Sequence, residues 1–127
     1  METIKSFTDF EQSKKLTEIL PIESADMQYI SFRHRNDTIE WIPQLGTPSK
    51  YDIPCWSLVA LLSVLPKEIE IDGQHYAPCL FPVKSKWLLK LWYNSNYTIT
   101  SPIAIFSDNP VDACYKLILK LNELNFL

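Results

Sequence analysis

The chain has 127 residues, 46% of them hydrophobic and 13% aromatic, with a formal net charge of −3. This length supports one domain that buries roughly two-thirds of its unfolded surface without help from a metal or disulfides, and the composition excludes wholesale disorder. The mild acidity excludes a global field that would hold nucleic acid or anionic lipid.

In chain order, Thr8-Asp9-Phe10-Glu11 reads as a capping box in which Thr8 and Glu11 satisfy each other's free amides. The helix it predicts runs over about 9–20, turns Phe10, Leu16, Ile19 and Leu20 inward and stops at Pro21; its thin apolar stripe places it on the periphery. Met27 to Arg33 alternates, with Met27, Tyr29 and Ser31 opposite Gln28, Ile30 and Phe32, and a second alternation covers Thr38 to Ile42. Together they predict a β-hairpin, followed by a loop from Pro43 to Tyr51.

The segment Pro54 to Pro66, PCWSLVALLSVLP, carries no charge. It reads as a central buried helix over 54–65, with Asp52 as cap, Pro54 in the first turn and Pro66 as stop. Leu58, Leu61, Leu62 and Leu65 share its sheet-facing arc. At well under the roughly 20 residues a bilayer needs, it is a core helix and not a membrane span.

Glu68 to Ile71, Asp72-Gly73 and Gln74 to about Leu80 predict a hairpin, because Asp-Gly tolerates positive φ at both turn positions. Pro78 and Pro82 place its return strand at an edge, or make it bulged and short. Lys84 to Tyr93 fits a helix with a Trp87, Leu88, Leu91, Trp92 stripe, or a strand with Trp87, Leu89, Leu91 and Tyr93 inward. The Asn94-Ser95-Asn96 turn and the run Tyr97 to Thr100 favour the strand, with another strand returning through Ile103 to Phe106.

Ser107-Asp108-Asn109-Pro110 opens a last helix to about Leu124. It buries Val111, Cys114, Ile118 and Leu121, with an ion pair from Asp112 to Lys116 on its wet face. The whole reads as a single α+β domain, 1–127, in the order α-ββ-α-ββ-ββ-α. Its mainly antiparallel sheet has about five to six strands, and three helices group on one face.

Three cysteines, Cys55, Cys79 and Cys114, lie among apolar residues, and an odd number argues against a disulfide framework and for a reducing cytoplasm. The opening METIKSFTDFEQ lacks the apolar core of a signal peptide, so the sequons at Asn36 and Asn96 are read as accidental.

Ile53-Pro54-Cys55-Trp56-Ser57-Leu58 on to Leu65-Pro66, Asp108-Asn109-Pro110-Val111-Asp112-Ala113-Cys114-Tyr115, and Glu23-Ser24-Ala25-Asp26-Met27 resemble a family of small uncharacterised proteins encoded by prophages and mobile elements of gut-dwelling bacteria. The resemblance implies a bacterial or phage origin and an intracellular setting. It carries no assigned activity and no catalytic residues.

Cys55 at a helix start could act as a lowered-pKa nucleophile, but the two histidines, His34 and His75, sit at turns and offer no orienting partner, so a buried inert thiol is the reading. Glu68, Glu70 and Asp72 on one strand face could ligate a divalent cation, yet the same alternation describes the wet face of any half-buried edge strand. Arg33, His34 and Arg35, together with Lys84, Lys86 and Lys90 among Trp87 and Trp92, could grip a phosphate backbone; the overall acidity opposes this. Phosphate loops, HExxH and CxxC are absent from the sequence. Leu88 and Trp92, facing outward on the predicted strand, form a candidate protein contact unless another helix of the chain covers them.

The expected function is that of a small accessory protein that binds a protein, either another chain or a second copy of itself. The alternatives are a metal-dependent hydrolase built on Glu68, Glu70 and Asp72, and a nucleic-acid accessory factor. No catalytic residue, cofactor or membrane is implied.

Overall fold

The structure, a computed structural model, describes residues 5–93 and 101–127. Among these the chain forms three helices and two antiparallel sheets, so the class is α+β but with two sheets in place of one. The predicted turn at Asn94-Ser95-Asn96 and the predicted strand Tyr97 to Thr100 lie outside the described residues.

Helix α1 spans Phe10–Thr17 and begins one residue later than predicted. Asp9, not Thr8, is its cap: the Asp9 carboxylate accepts the Gln12 amide N–H at 2.8 Å and the Gln12 side chain accepts the Asp9 N–H at 3.1 Å. The box is reciprocal, as the motif requires. Thr8 has different work. It is fully buried, its Oγ1 accepts the Trp56 N–H at 3.1 Å, and it lies 2.8 Å from Ser13 Oγ.

A 3-10 turn at Ile22–Ser24 leads into β1, Met27–Arg33. This strand pairs with β2, Ile39–Leu45, as predicted, but β2 continues through Pro43 to Leu45, where a loop was expected. Proline is tolerated there because β2 is an edge strand. On its other side β1 pairs with β3, Ile53–Cys55, with Met27 opposite Cys55 and Tyr29 opposite Ile53.

Strand β3 takes the first residues of the predicted central helix. Helix α2 is only Leu58–Val64, and its cap is Ser57, whose Oγ accepts the Ala60 N–H, not Asp52. The cause is tertiary. The Leu58 N–H donates to the Ser6 carbonyl at 3.0 Å and the Thr8 N–H to the Trp56 carbonyl at 2.9 Å, which holds the chain extended through Trp56. Trp56, Leu61 and Ala60 are buried, whereas Val59 is 71% and Leu62 40% exposed. The helix is therefore half-sunk and not enveloped.

The second sheet has the order β4-β5-β6-β7: Ile69–Ile71, Gln74–Val83, Lys86–Tyr93 and Ala104–Ser107. Asp72 and Gly73 make the β4–β5 turn with φ of 51° and 79°, the two-residue geometry that suits the strand twist. The segment Lys84 to Tyr93 is a strand, not a helix. Strand β5 is interior and ten residues long, contrary to the edge or short strand predicted from its prolines. The reason is that β4 pairs only with Gln74 to Tyr76, so Pro78 and Pro82 lie where one flank of β5 has no strand beside it among the described residues.

Helix α3, Pro110–Glu123, starts where the sequence placed it: Asn109 caps by accepting the Asp112 N–H at 2.8 Å, and Pro110 fills the first turn. Val111, Ala113, Cys114, Leu117, Ile118 and Leu121 are wholly inaccessible. They join Leu61 of α2 and Leu89 and Leu91 of β6 in the main core, which also takes in Leu16 and Trp56. Each such leucine contributes about 2 kcal/mol from burial alone. Asp112 does not pair with Lys116. Its Oδ1 accepts Lys5 Nζ and Gln12 Nε2, each at 2.8 Å, and clasps the start of α1 to the start of α3.

Candidate functional site

The residues that could carry function fall into four places, and their geometry separates them.

Cys55 sits inside β3, not at a helix start, and is fully buried. Its Sγ donates to the Thr8 carbonyl at 3.4 Å, and Tyr29 donates its hydroxyl to the same oxygen at 2.8 Å. Burial pushes the Cys55 thiol up, and burial is the main reason the Tyr29 hydroxyl rises to about 12. A thiol kept protonated is no nucleophile. Cys114, pushed up to about 12 by burial, is as inert, and all three cysteines are free thiols. Thr8, Ser13 and Tyr29 form a buried polar knot that the sequence reading did not anticipate; the neighbouring Asp9–Gln12 spacing was the one available hint.

Glu68, Glu70 and Asp72 do not converge. Glu68 lies just before β4 and its Oε1 is 2.7 Å from His75 Nδ1, Glu70 lies opposite His75 in the ladder, and Asp72 occupies the turn. Among the described residues no group of three or more such side chains could hold a metal ion. The depression beside them, of about 200 Å³, is lined by Lys67, Glu68, His75, Tyr76 and Ala77.

The basic residues are likewise divided. Arg33, His34 and Arg35 are exposed at the tip of the β1–β2 hairpin, where His34 Nε2 is 2.7 Å from Glu40 Oε2. On the other sheet Lys84 is in the β5–β6 turn and Lys86 pairs with Asp108, whose carboxyl that hydrogen bond holds below the usual carboxylate range. Lys90 lies over aromatic rings, 4.4 Å from the centroid of Trp92 and 5.6 Å from that of Phe81. No single basic stripe results.

What the structure does bring together is the outer face of the four-stranded sheet. Cross-strand pairing sets Phe81, Leu88 and Phe106 in one row, Cys79, Lys90 and Ala104 in the next, and Ala77 with Trp92 in a third. The opposite, inner face carries Leu80, Leu89, Leu91 and Ile105 into the core with α2 and α3. Leu88 faces outward as predicted, yet with Phe81 and Phe106 as its row neighbours it is only 9% exposed. Trp92 is half-buried, and the accessible ring is Phe106, at 58%. The two rings Phe81 and Phe106 escaped the sequence reading because their same-face placement depends on strand register.

A scan against protein-family models and searches of curated proteins and of solved structures found no match. The site must be read from its own residues.

One more feature borders this face. Beside β7, Pro102, Ile103, Ala104 and Ile105 meet Lys116 and Lys120 of α3 around a groove of about 380 Å³. No helix among the described residues is long and apolar enough to cross a membrane.

Proposed function

We propose that the chain is a small intracellular accessory protein that works by binding another protein through the outer face of the four-stranded sheet. One observation carries this: helix α3 packs on the inner face, with α2 against it, and strand register lines up aromatic and aliphatic side chains on the other, with Phe106 58% exposed. Aromatic side chains are enriched at protein contacts, and on this face Phe106 is the ring that stands exposed while Leu88 lies buried beside its row neighbours. Lys90 lies over the Trp92 ring on this face, so the partner that fits is an apolar patch carrying a carboxylate, not a second copy presenting its own Lys90. The three free thiols support a reducing compartment. The likeness to prophage-encoded proteins supports a role in a mobile element.

The test is to capture partners on the tagged protein, purify each and measure direct binding to variants. Lys90→Glu and Phe106→Ser should each weaken the true partner by about tenfold, since the charge reversal sets like charges together and the truncation removes an anchor. A partner that binds both variants as it binds the original protein removes this reading.

A further inference from the structure

We infer that the edge of β7 away from β6 is a docking seam for an extended acidic segment of another protein, which adds to the sheet as a further strand with alternate residues turned toward α3. The inference deepens the binding reading by naming a second contact and its partner's chemistry, on a different surface of the same sheet.

Every sheet edge in the molecule invites pairing, and proteins usually blunt such edges with charge, proline or brevity. Among the described residues, three of the four edge strands are blunted in this way. Strand β4 is three residues with Glu70 in the middle; β2 carries Glu40 and Pro43; β3 is three residues with Pro54 in the middle. Strand β7 reads Ala104-Ile105-Phe106-Ser107, with neither charge nor proline, and among the described residues it pairs only with β6. It is the edge left able to accept a strand.

The surroundings define what that strand must be. On the helix side the groove has an apolar floor from Ile103 and Ile105 and a cationic wall from Lys116 and Lys120. The two lysines are one helical turn apart, about 6 Å along α3, and alternate residues of a strand are separated by about 6.6–6.8 Å. Helix α3 follows β7 through a short connection and runs back along it: Lys116 reaches Ser107 Oγ at 3.4 Å, while Lys120 flanks the groove farther back. Glutamates at positions i and i+2 of an added strand can therefore each meet one lysine, laying their methylenes on the isoleucines. The residues between them face outward beside Phe106, where apolar side chains fit. Main-chain bonds to β7 supply affinity and the alternation supplies selectivity, the usual division in strand addition. A second copy of β7 suits the site poorly, since it would set Lys116 and Lys120 against their own equivalents.

The probe is a short fluorescent peptide alternating valine and glutamate. Three companions accompany it: one with lysine for glutamate, one with alternate backbone nitrogens methylated on one edge, and one methylated on the other edge. Binding is read by anisotropy and by amide NMR shifts. The acidic peptide should bind with shifts centred on Ala104 to Ser107, one methylated form should lose binding, and the lysine peptide should not bind. Lys116→Glu with Lys120→Glu should weaken the acidic peptide by about tenfold and reverse the preference toward the lysine form. Arg35→Glu, at the exposed tip of the β1–β2 hairpin on the other sheet, should leave it unchanged. Absence of binding, shifts centred on another edge, equal binding of both methylated forms, or indifference to the lysine reversals would each overturn the inference. The Lys90→Glu result with a captured partner decides the face reading separately.

Discussion

The two sheets are built from similar strand material and differ in what stands behind them. The four-stranded sheet is backed by α3, against which α2 packs, and Leu89 and Leu91 are wholly inaccessible. The three-stranded sheet rests on a small cluster of Met27, Tyr29 and Cys55 with Phe7, Phe10, Trp41 and Ile53 around it, stiffened by the edge contact of Phe10 with Tyr29 and its stacking on Trp41. Beyond Ile30 that hairpin leaves its support, and every residue from Ser31 to Glu40 is exposed. Alternation in sequence reports a strand, but only the layer behind it makes the strand stable.

The comparison can be broken most forcefully at α3, the helix behind the four-stranded sheet. Leu117→Ala leaves a cavity at a site with no access to solvent, and should cost about 3–4 kcal/mol by denaturant unfolding; Phe32→Ala, at the free hairpin end, should stay within about 0.5 kcal/mol. Equal losses would mean the two sheets share one support. Thr8→Val comes next. It keeps the shape but leaves the Trp56 N–H and the Ser13 hydroxyl without their Thr8 partner, which should cost about 2–3 kcal/mol.

Asp112→Asn probes the clasp between α1 and α3. Burial alone pushes the Asp112 carboxyl up, but hydrogen bonds from Lys5, Gln12 and Asn109 outweigh it and hold the group below its usual range. A folded-state value below the unfolded one means that the stabilisation is present above the ordinary carboxylate range and is lost as pH falls through the lowered value. The substitution should therefore cost about 1 kcal/mol near neutrality, softened by salt, and progressively less in acid. A deficit that stays constant down to acid pH would remove the clasp from the stability account. The smallest effect needs no mutation: amides of β1 and β2 beyond Ile30 should exchange with solvent sooner than those of β6. Uniform protection would erase the contrast between the sheets.

The sequence was most legible where local chemistry and tertiary contacts agree. Asn109-Pro110 with Asp112 marks the start of α3 without competition, and Asp72-Gly73 marks the β4–β5 turn. It misled where two local signals compete. Pro54 and Ser57 can both open a helix, and the pairing of Ile53 to Cys55 with β1 decides for Ser57. Thr8–Glu11 and Asp9–Gln12 both have capping-box spacing, and the burial of Thr8 decides for the second. Leu88 and Trp92 were visible as an outward pair, but the rows that make a surface of them depend on Phe81 and Phe106, which only register brings alongside. Glu68, Glu70 and Asp72 looked like a set because strand alternation was assumed to extend one residue past each end of β4.

Helix α3 follows the other described elements in chain order, yet it completes the core that Leu16 and Trp56 enter from much earlier in the sequence. During vectorial synthesis the earlier elements leave the ribosome with their main hydrophobic surface unsealed, so stable folding waits for α3 to emerge. A stalled nascent chain lacking that helix should be a chaperone client and open to proteases, and release of the remaining segment should end both conditions together.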